Sequence, residues 1–274
     1  MSRWTIDEPT TLDFDGVVAL RATLIAGNVS VLASDERPSI IIGDLEGPPL
    51  VVTHDAGMLT ITHEKPWEGV LSWLRTQRCR ADVTVTVPRD CPVGLNLVSA
   101  DAVVTGTTSR ASIKSASGNV TLDGVAGAID ANTVSGVIEA QGLDGAVTFT
   151  SISGDLSLAG GSVERLAART VSGRIAADVD LPGDGGIEIT TVSGDVALRI
   201  PDSADARVAL NTAAGRIETT FPEIGERDGL VGRTRGGELG NGSGRLTVNT
   251  VSGSITLIGR DDGTAEKTTP RLEK

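Results

Sequence analysis

Thr133-Val134-Ser135-Gly136, Ser151-Ile152-Ser153-Gly154, Thr170-Val171-Ser172-Gly173 and Thr191-Val192-Ser193-Gly194 are copies of one four-residue string. Thr250-Val251-Ser252-Gly253 is a further exact copy, and looser ones stand at Ser115-Ala116-Ser117-Gly118 and Thr212-Ala213-Ala214-Gly215. The seven glycines are spaced by 18, 18, 19, 21, 21 and 38 residues. A sustained period of this size marks a repeat architecture. The last interval is about two periods, so one repeat there is replaced by something else.

Aligning the copies on the glycine gives columns. Five residues before it stand Ile113, Ala131, Phe149, Ala168, Ile189, Leu210 and Val248; four after it stand Leu122, Ala140, Leu158, Ala177, Leu198, Thr219 and Leu257. The columns seven before and two after are apolar throughout, and the residues between are mostly polar or small. Alternation with period two is the pattern of a strand with one buried face. Each repeat therefore carries two short strands flanking Ser-Gly. Three before the glycine is always Ser or Thr, and the next residue is apolar in every copy. By parity both face inward, so the alternation slips by one, as at a corner or bulge. The glycines Gly118, Gly136, Gly154, Gly173, Gly194, Gly215 and Gly253 are read as structural turns that supply unusual backbone angles there. A second turn closes most repeats, as at Asp123-Gly124, Leu143-Asp144-Gly145 and Gly160-Gly161. The pattern extends backward to copies around Gly27, Gly57 and Ala100, making ten over residues 10–258.

One such unit cannot bury its apolar face alone, whereas stacked units bury it as a continuous core. The expected fold is all-β: a single-domain parallel β-solenoid with coils of 18–21 residues. Ten coils at roughly 4.8 Å would make a rod on the order of 45 Å. The competing architecture is a β-sandwich of hairpins; in-phase columns favour stacking, because a sandwich does not need every turn to repeat the same residues. The solenoid domain is read as residues 1–259, interrupted at about 64–82 and 221–245, with a disordered polar tail at 260–274.

Composition agrees. The 274 residues include 34 Gly but only three Trp, three Phe and no Tyr. Without a three-residue period this is not collagen, and the aliphatic content is too high for a disordered chain. A narrow stacked interior takes Val, Ile, Leu and Ala, which accounts for the missing aromatics. The net charge of −12 and the lack of a basic patch disfavour nucleic acid. No apolar run is long enough to cross a membrane as a helix, and Met1-Ser2-Arg3-Trp4 lacks the apolar stretch of a signal peptide, so a cytoplasmic location is expected. Cys79 and Cys91 are expected as thiols in a reducing compartment.

The first interruption holds two of the three tryptophans and the densest arginine cluster. Trp67, Val70, Leu71 and Leu74 fall at helical spacing. The segment reads as a lateral element packed over the repeat; its functional alternative is partner contact or membrane docking through Trp67, Leu71, Trp73, Arg75 and Arg78. The second interruption, Phe221 to Arg245, reads as a Gly-rich loop or hairpin and lacks the Gly-Lys-Ser/Thr of a phosphate loop. The residue after the corner glycine (Asn119, Val137, Asp155, Arg174, Asp195, Arg216, Ser254) is too mixed for a calcium ladder. Glu139, Glu188 and Glu218 lie outward but in different columns or distant coils, unlike a glycosidase pair. No catalytic residue, metal or cofactor is expected.

The string Thr191-Val192-Ser193-Gly194-Asp195-Val196 and its copies, Val85-Thr86-Val87-Pro88, and Gly27-Asn28-Val29-Ser30-Val31 resemble the bacterial "putative adhesin" family of β-strand-repeat proteins, over roughly residues 10–258. The resemblance implies a solenoid-like all-β domain with no established activity and no catalytic residues to carry over. The expected function is a non-enzymatic structural or interaction module, binding a protein partner or itself. The alternatives are a carbohydrate-active enzyme on a β-helix and a membrane-associated module docking through the Trp-containing insertion.

Overall fold

The period-two alternation becomes strands at every repeat. The structure is a computed structural model that describes residues 2–63, 79–227 and 232–261. From the N-terminus come β1 (Ser2–Ile6), β2 (Thr10–Asp13), β3 (Ala19–Ala33), β4 (Ser39–Glu46), β5 (Leu50–Asp55), β6 (Met58–His63) and β7 (Arg80–Val87). The middle holds β8 (Val93–Thr105), β9 (Ala111–Ser117), β10 (Val120–Asp123), β11 (Ala126–Ser135), β12 (Val137–Ser151), β13 (Asp155–Thr170), β14 (Ile175–Asp180), β15 (Gly186–Thr191) and β16 (Val196–Pro201). Last come β17 (Ala206–Thr212), β18 (Ile217–Thr219), β19 (Gly225–Arg227), β20 (Arg233–Leu239), β21 (Gly244–Thr250) and β22 (Ile255–Arg260). The fold is all-β: the described residues contain no helix.

The sequence columns are contact rows. In the sheet before the corner, parallel partners run Ile113–Ala131–Phe149–Ala168–Ile189–Val248–Leu210. In the sheet after it they run Leu122–Ala140–Leu158–Ala177–Leu198–Leu257–Thr219. Large residues sit beside small ones. Phe149, fully buried, lies between Ala131 and Ala168, and leucines alternate with alanines from Leu122 to Leu198 in the second row. Setting large side chains beside small ones lets closely spaced layers reach interior packing density.

The stacking order departs from chain order at both ends. β3 lies between the β6–β7 layer and β8. At the other end, the β21–β22 layer inserts between the β15–β16 layer and the β17–β18 layer. The doubled glycine interval therefore marks no missing layer: the chain builds the outer layer first, turns back through β19 and β20, and fills the gap. The outer layer carries Thr219 where its neighbours carry Leu or Ala, a substitution suited to the end of a core.

The ends are antiparallel. β1 pairs β5 and β5 pairs β6 on one sheet; β2 pairs β4 and β4 pairs β7 on the other. At the far end β20 runs antiparallel to β17, with β19 beside it. Because β8 and β12 run through the corner, β8–β9–β11–β12–β10 also close into a ring of five strands. One uninterrupted parallel solenoid is thus not what the chain forms. The copy read around Gly57 is a hairpin turn between β5 and β6, with Gly57 at φ 82°. The tenth layer is β6 with β7 instead, and its corner row places Ala81 beneath Gly27. The second interruption supplies the antiparallel cap, with Phe221, Ile224 and Leu239 buried over the core end. At the opposite end Trp4 meets Phe14 edge-on at 5.4 Å.

Candidate functional site

The most regular surface of the molecule is the corner built by the Thr-Val-Ser-Gly string. Its Ser/Thr points inward and is buried in every copy. In six of the seven copies its hydroxyl oxygen accepts the N–H of the glycine three residues on, at 2.6–3.1 Å. A buried backbone donor at the bend is thereby satisfied inside the layer. Thr133 is the exception: its hydroxyl donates to the Ser135 carbonyl, and its glycine, Gly136, takes φ 112°.

Six of the seven corner glycines do not have positive φ. Their requirement is space. A Cβ on Gly118, Gly136, Gly154, Gly173, Gly194, Gly253 or Gly215 would overlap the carbonyl oxygen of the corner residue in the adjacent layer, inside the 3.0 Å limit of real Cβ contacts. Left-handed angles belong to the second turn, at Gly106, Gly124, Gly142 and Gly160. The reading of the corner glycines as angle-setting turns is corrected accordingly: they permit backbone to lie on backbone.

The apolar residue of the string faces outward, contrary to the parity expectation. Val98, Val134, Ile152, Val171, Val192 and Val251 are 47–54% exposed, and Ala116 is exposed in the same row. The slip falls one step later than expected, so Val and Ser both point out. The serine then ties layers together: its Oγ donates to the carbonyl of the apolar residue one layer below, at 3.2–3.3 Å from Ser117 to Ser252, and from Ser153, Ser172, Ser193 and Ser252 the N–H reaches the same oxygen. On the other side runs a second outward row of Asn96, Lys114, Asn132, Thr150, Arg169, Thr190 and Asn249. The three rows make a lane over seven layers. Where Ala116 leaves a notch between Val98 and Val134, a shallow groove of about 400 Å³ opens, walled by Asn96, Asn132 and Ile152.

The mixed column after the glycine also has a cause. Asp101, Asn119, Asp155 and Asp195 each accept a backbone N–H from the adjacent layer, at 2.7–3.1 Å. These carboxylates and amides are layer staples. Asp205 does the same for the Gly-rich turn: the Ser243 N–H, the Ser243 hydroxyl and Asn241 bind it, and these bonds, the Ser243 N–H foremost, hold its carboxyl below the usual range. Arg233 reaches over the last corner to the Gly215 carbonyl, 3.2 Å away.

Trp67, Leu71, Trp73, Arg75 and Arg78 lie outside the described residues. Glu188 is on the sheet before the corner, 3.6 Å from Arg169, while Glu139 and Glu218 are on the other sheet, five layers apart. The three carboxylates are not brought together. Among the described residues no three His, Cys, Asp or Glu side chains gather as a metal site. Burial, helped by the Asp90 charge, pushes the Cys91 thiol up to about 11. His63 is buried with no well-aligned hydrogen bond to either ring nitrogen; burial lowers its pKa, partly offset by the nearby Pro48 carbonyl.

The Toastrack DUF4097 family model matches residues 42–258. The chain belongs to the Toastrack DUF4097 family. It is a family of unknown function. Several solved structures resemble this Toastrack chain. An adhesin described as putative from Bacteroides fragilis is 15% identical, covering 93% of this chain and 97% of its own, with a TM-score of 0.42. A cell adhesion protein described as putative from Clostridium sporogenes is 11% identical, covering 92% and 99%, with a TM-score of 0.29. A lipid binding protein described as putative from Parabacteroides distasonis is 14% identical, covering 91% and 96%, with a TM-score of 0.39. No curated protein matches. At these TM-scores the likenesses carry no argument about function.

Proposed function

We propose that this Toastrack chain is a non-enzymatic interaction module, an adhesin-like, solenoid-like scaffold whose work is to hold a regular surface for association. The observation that carries the reading is the row from Val98 to Val251: half-exposed β-branched side chains in six of its seven layers, with Ala116 in the other, on a backbone that is otherwise stapled layer to layer. Folding does not need those residues to be apolar, since they face outward, and a contiguous exposed apolar patch marks an interaction site. Association is lateral in this reading. The strands at the two ends, β1, β2, β18 and β19, are only three to five residues long, which is how sheets blunt their edges against end-to-end pairing.

The test is the native size of the protein in extract of its own cells, for wild type and for Val134→Ser/Ile152→Ser/Val171→Ser. The wild type is expected to migrate well above the 28.1 kDa of one chain, and the triple variant to fall back to it. Wild type migrating as a single chain overturns the scaffold reading.

A further inference from the structure

We propose that the lane is a homodimer contact, with two copies of this chain meeting lane to lane across a two-fold axis. This rests on the scaffold reading and names its partner. Three observations favour a second copy.

The first is charge. Each chain carries −12, so two copies repel unless the touching surfaces are free of carboxylates. None of the 36 Asp and Glu residues stands in the three rows of the lane over seven layers; its only charged residues are Lys114 and Arg169. The acids begin in the neighbouring rows, at Asp101, Asp130 and Glu188.

The second is size. Seven layers at about 4.8 Å and three rows spanning roughly 15 Å offer about 500 Å² per copy, or about 1,000 Å² for the pair. That is the lower bound of specific protein interfaces, so the dimer is expected to be weak and concentration-dependent.

The third is self-complementarity. Ile152 is the largest and most exposed residue of the row, at 54%, with three layers on either side. With the axis through Ile152 and across the lane, each row faces itself in reverse order. Val134 then meets Val171, and Val98 meets Val251. The Ala116 notch receives Val192. Lys114 falls opposite Thr190 and Arg169 opposite Asn132, so no cation faces a cation.

The test is sedimentation equilibrium of the purified full chain from about 1 to 200 μM. A monomer–dimer equilibrium is expected, strengthening with added salt as the repulsion between the acidic copies is screened. Ile152→Lys, which places two ammonium groups at the axis, is expected to weaken dimerisation by about tenfold or more. Val103→Lys, an exposed apolar residue on the other sheet, is expected to leave it unchanged. Matching thermal unfolding of Ile152→Lys and wild type keeps misfolding from imitating the result. Wild type remaining monomeric across the range, or Ile152→Lys dimerising as wild type does, overturns the proposal. If the purified chain is monomeric yet the large species in cell extract still depends on Val134, Ile152 and Val171, the scaffold reading stands and its partner is a different protein or a lipid surface.

Discussion

Replacing Gly173 by alanine separates two explanations of a glycine column. Gly173 does not need a left-handed backbone, but a Cβ there would sit inside the Gly154 carbonyl oxygen of the layer below. Relieving the overlap requires the two layers to open by about 1 Å or more at the corner. Three bonds cross that opening: Ser172 N–H to the Ile152 carbonyl at 2.9 Å, Ser172 Oγ to the same oxygen at 3.3 Å, and Arg174 N–H to Asp155 at 2.7 Å. At about 1 kcal/mol each their loss costs about 3 kcal/mol, offset by about 0.4–1 kcal/mol of reduced unfolded-state entropy. A net loss of about 2–3 kcal/mol lowers the melting temperature by roughly 5–10 °C. Gly124→Ala is the contrast. Gly124 sits at φ 58° with nothing within 4 Å of an added Cβ, so only backbone strain of about 1–2 kcal/mol applies, less the same entropic offset. Urea and thermal unfolding by far-UV circular dichroism read both. Gly173→Ala costing under about 1 kcal/mol, or less than Gly124→Ala, would refute the account of the corner as a backbone contact.

Three further outcomes follow from single groups. Thr191→Val keeps the shape but removes the acceptor for the Gly194 N–H at 2.9 Å, and is expected to cost about 1–3 kcal/mol, with Thr191→Ser recovering most of it in the same urea titration. His63 is buried with no well-aligned ring hydrogen bond, and its folded pKa lies below the 6.5 of the unfolded chain, because burial outweighs the Pro48 carbonyl. The unfolded state therefore binds the proton more readily, so stability is full above that value and falls as the pH drops below it. His63→Gln should show a shallower acid limb; an unchanged limb would show that the imidazole contributes nothing. Cys91, with its pKa raised to about 11, should resist a thiol-reactive disulfide reagent at pH 8 in a Cys79→Ser background and react fully in denaturant; rapid labelling of the folded protein would contradict its burial.

The layers were legible because each apolar position recurs seven times in phase, and one repeat cannot bury its face alone. Even the Leu–Ala alternation beside Phe149–Ala168 was visible as columns. The orientation of the Val row was not, because a corner absorbs one residue of the alternation and hydropathy does not say which. The deciding fact is that Thr170 or Thr191 must point inward to bond the glycine three residues later, which turns the next residue out. A constant Ser/Thr three before a constant Gly was the available signal, since that spacing suits a side-chain-to-backbone cap. The stacking order was hidden for the opposite reason: layers with identical columns fit on one another in any order. Only the departures, Thr219 and Ala213-Ala214-Gly215, hinted at which layer is outermost. The column after the glycine looked irregular because only its Asp and Asn members, Asp101, Asn119, Asp155 and Asp195, carry an acceptor that staples the N–H of the next layer.

The layer order also places Val251 next to Val192 and so completes the lane. Cysteine pairs test it directly. In a Cys79→Ser background, Thr190→Cys/Asn249→Cys and Thr190→Cys/Asn211→Cys are oxidised with copper phenanthroline and followed by gel mobility. Residues 190 and 249 are parallel partners in adjacent layers, about 4.8 Å apart, within the Cα separation a disulfide spans. Residues 190 and 211 are two layers apart, at roughly 9.6 Å, beyond it. The account predicts rapid closure of the first pair and none of the second; closure of the second in preference to the first would mean that the layers stack in chain order and that the inserted final layer is wrong.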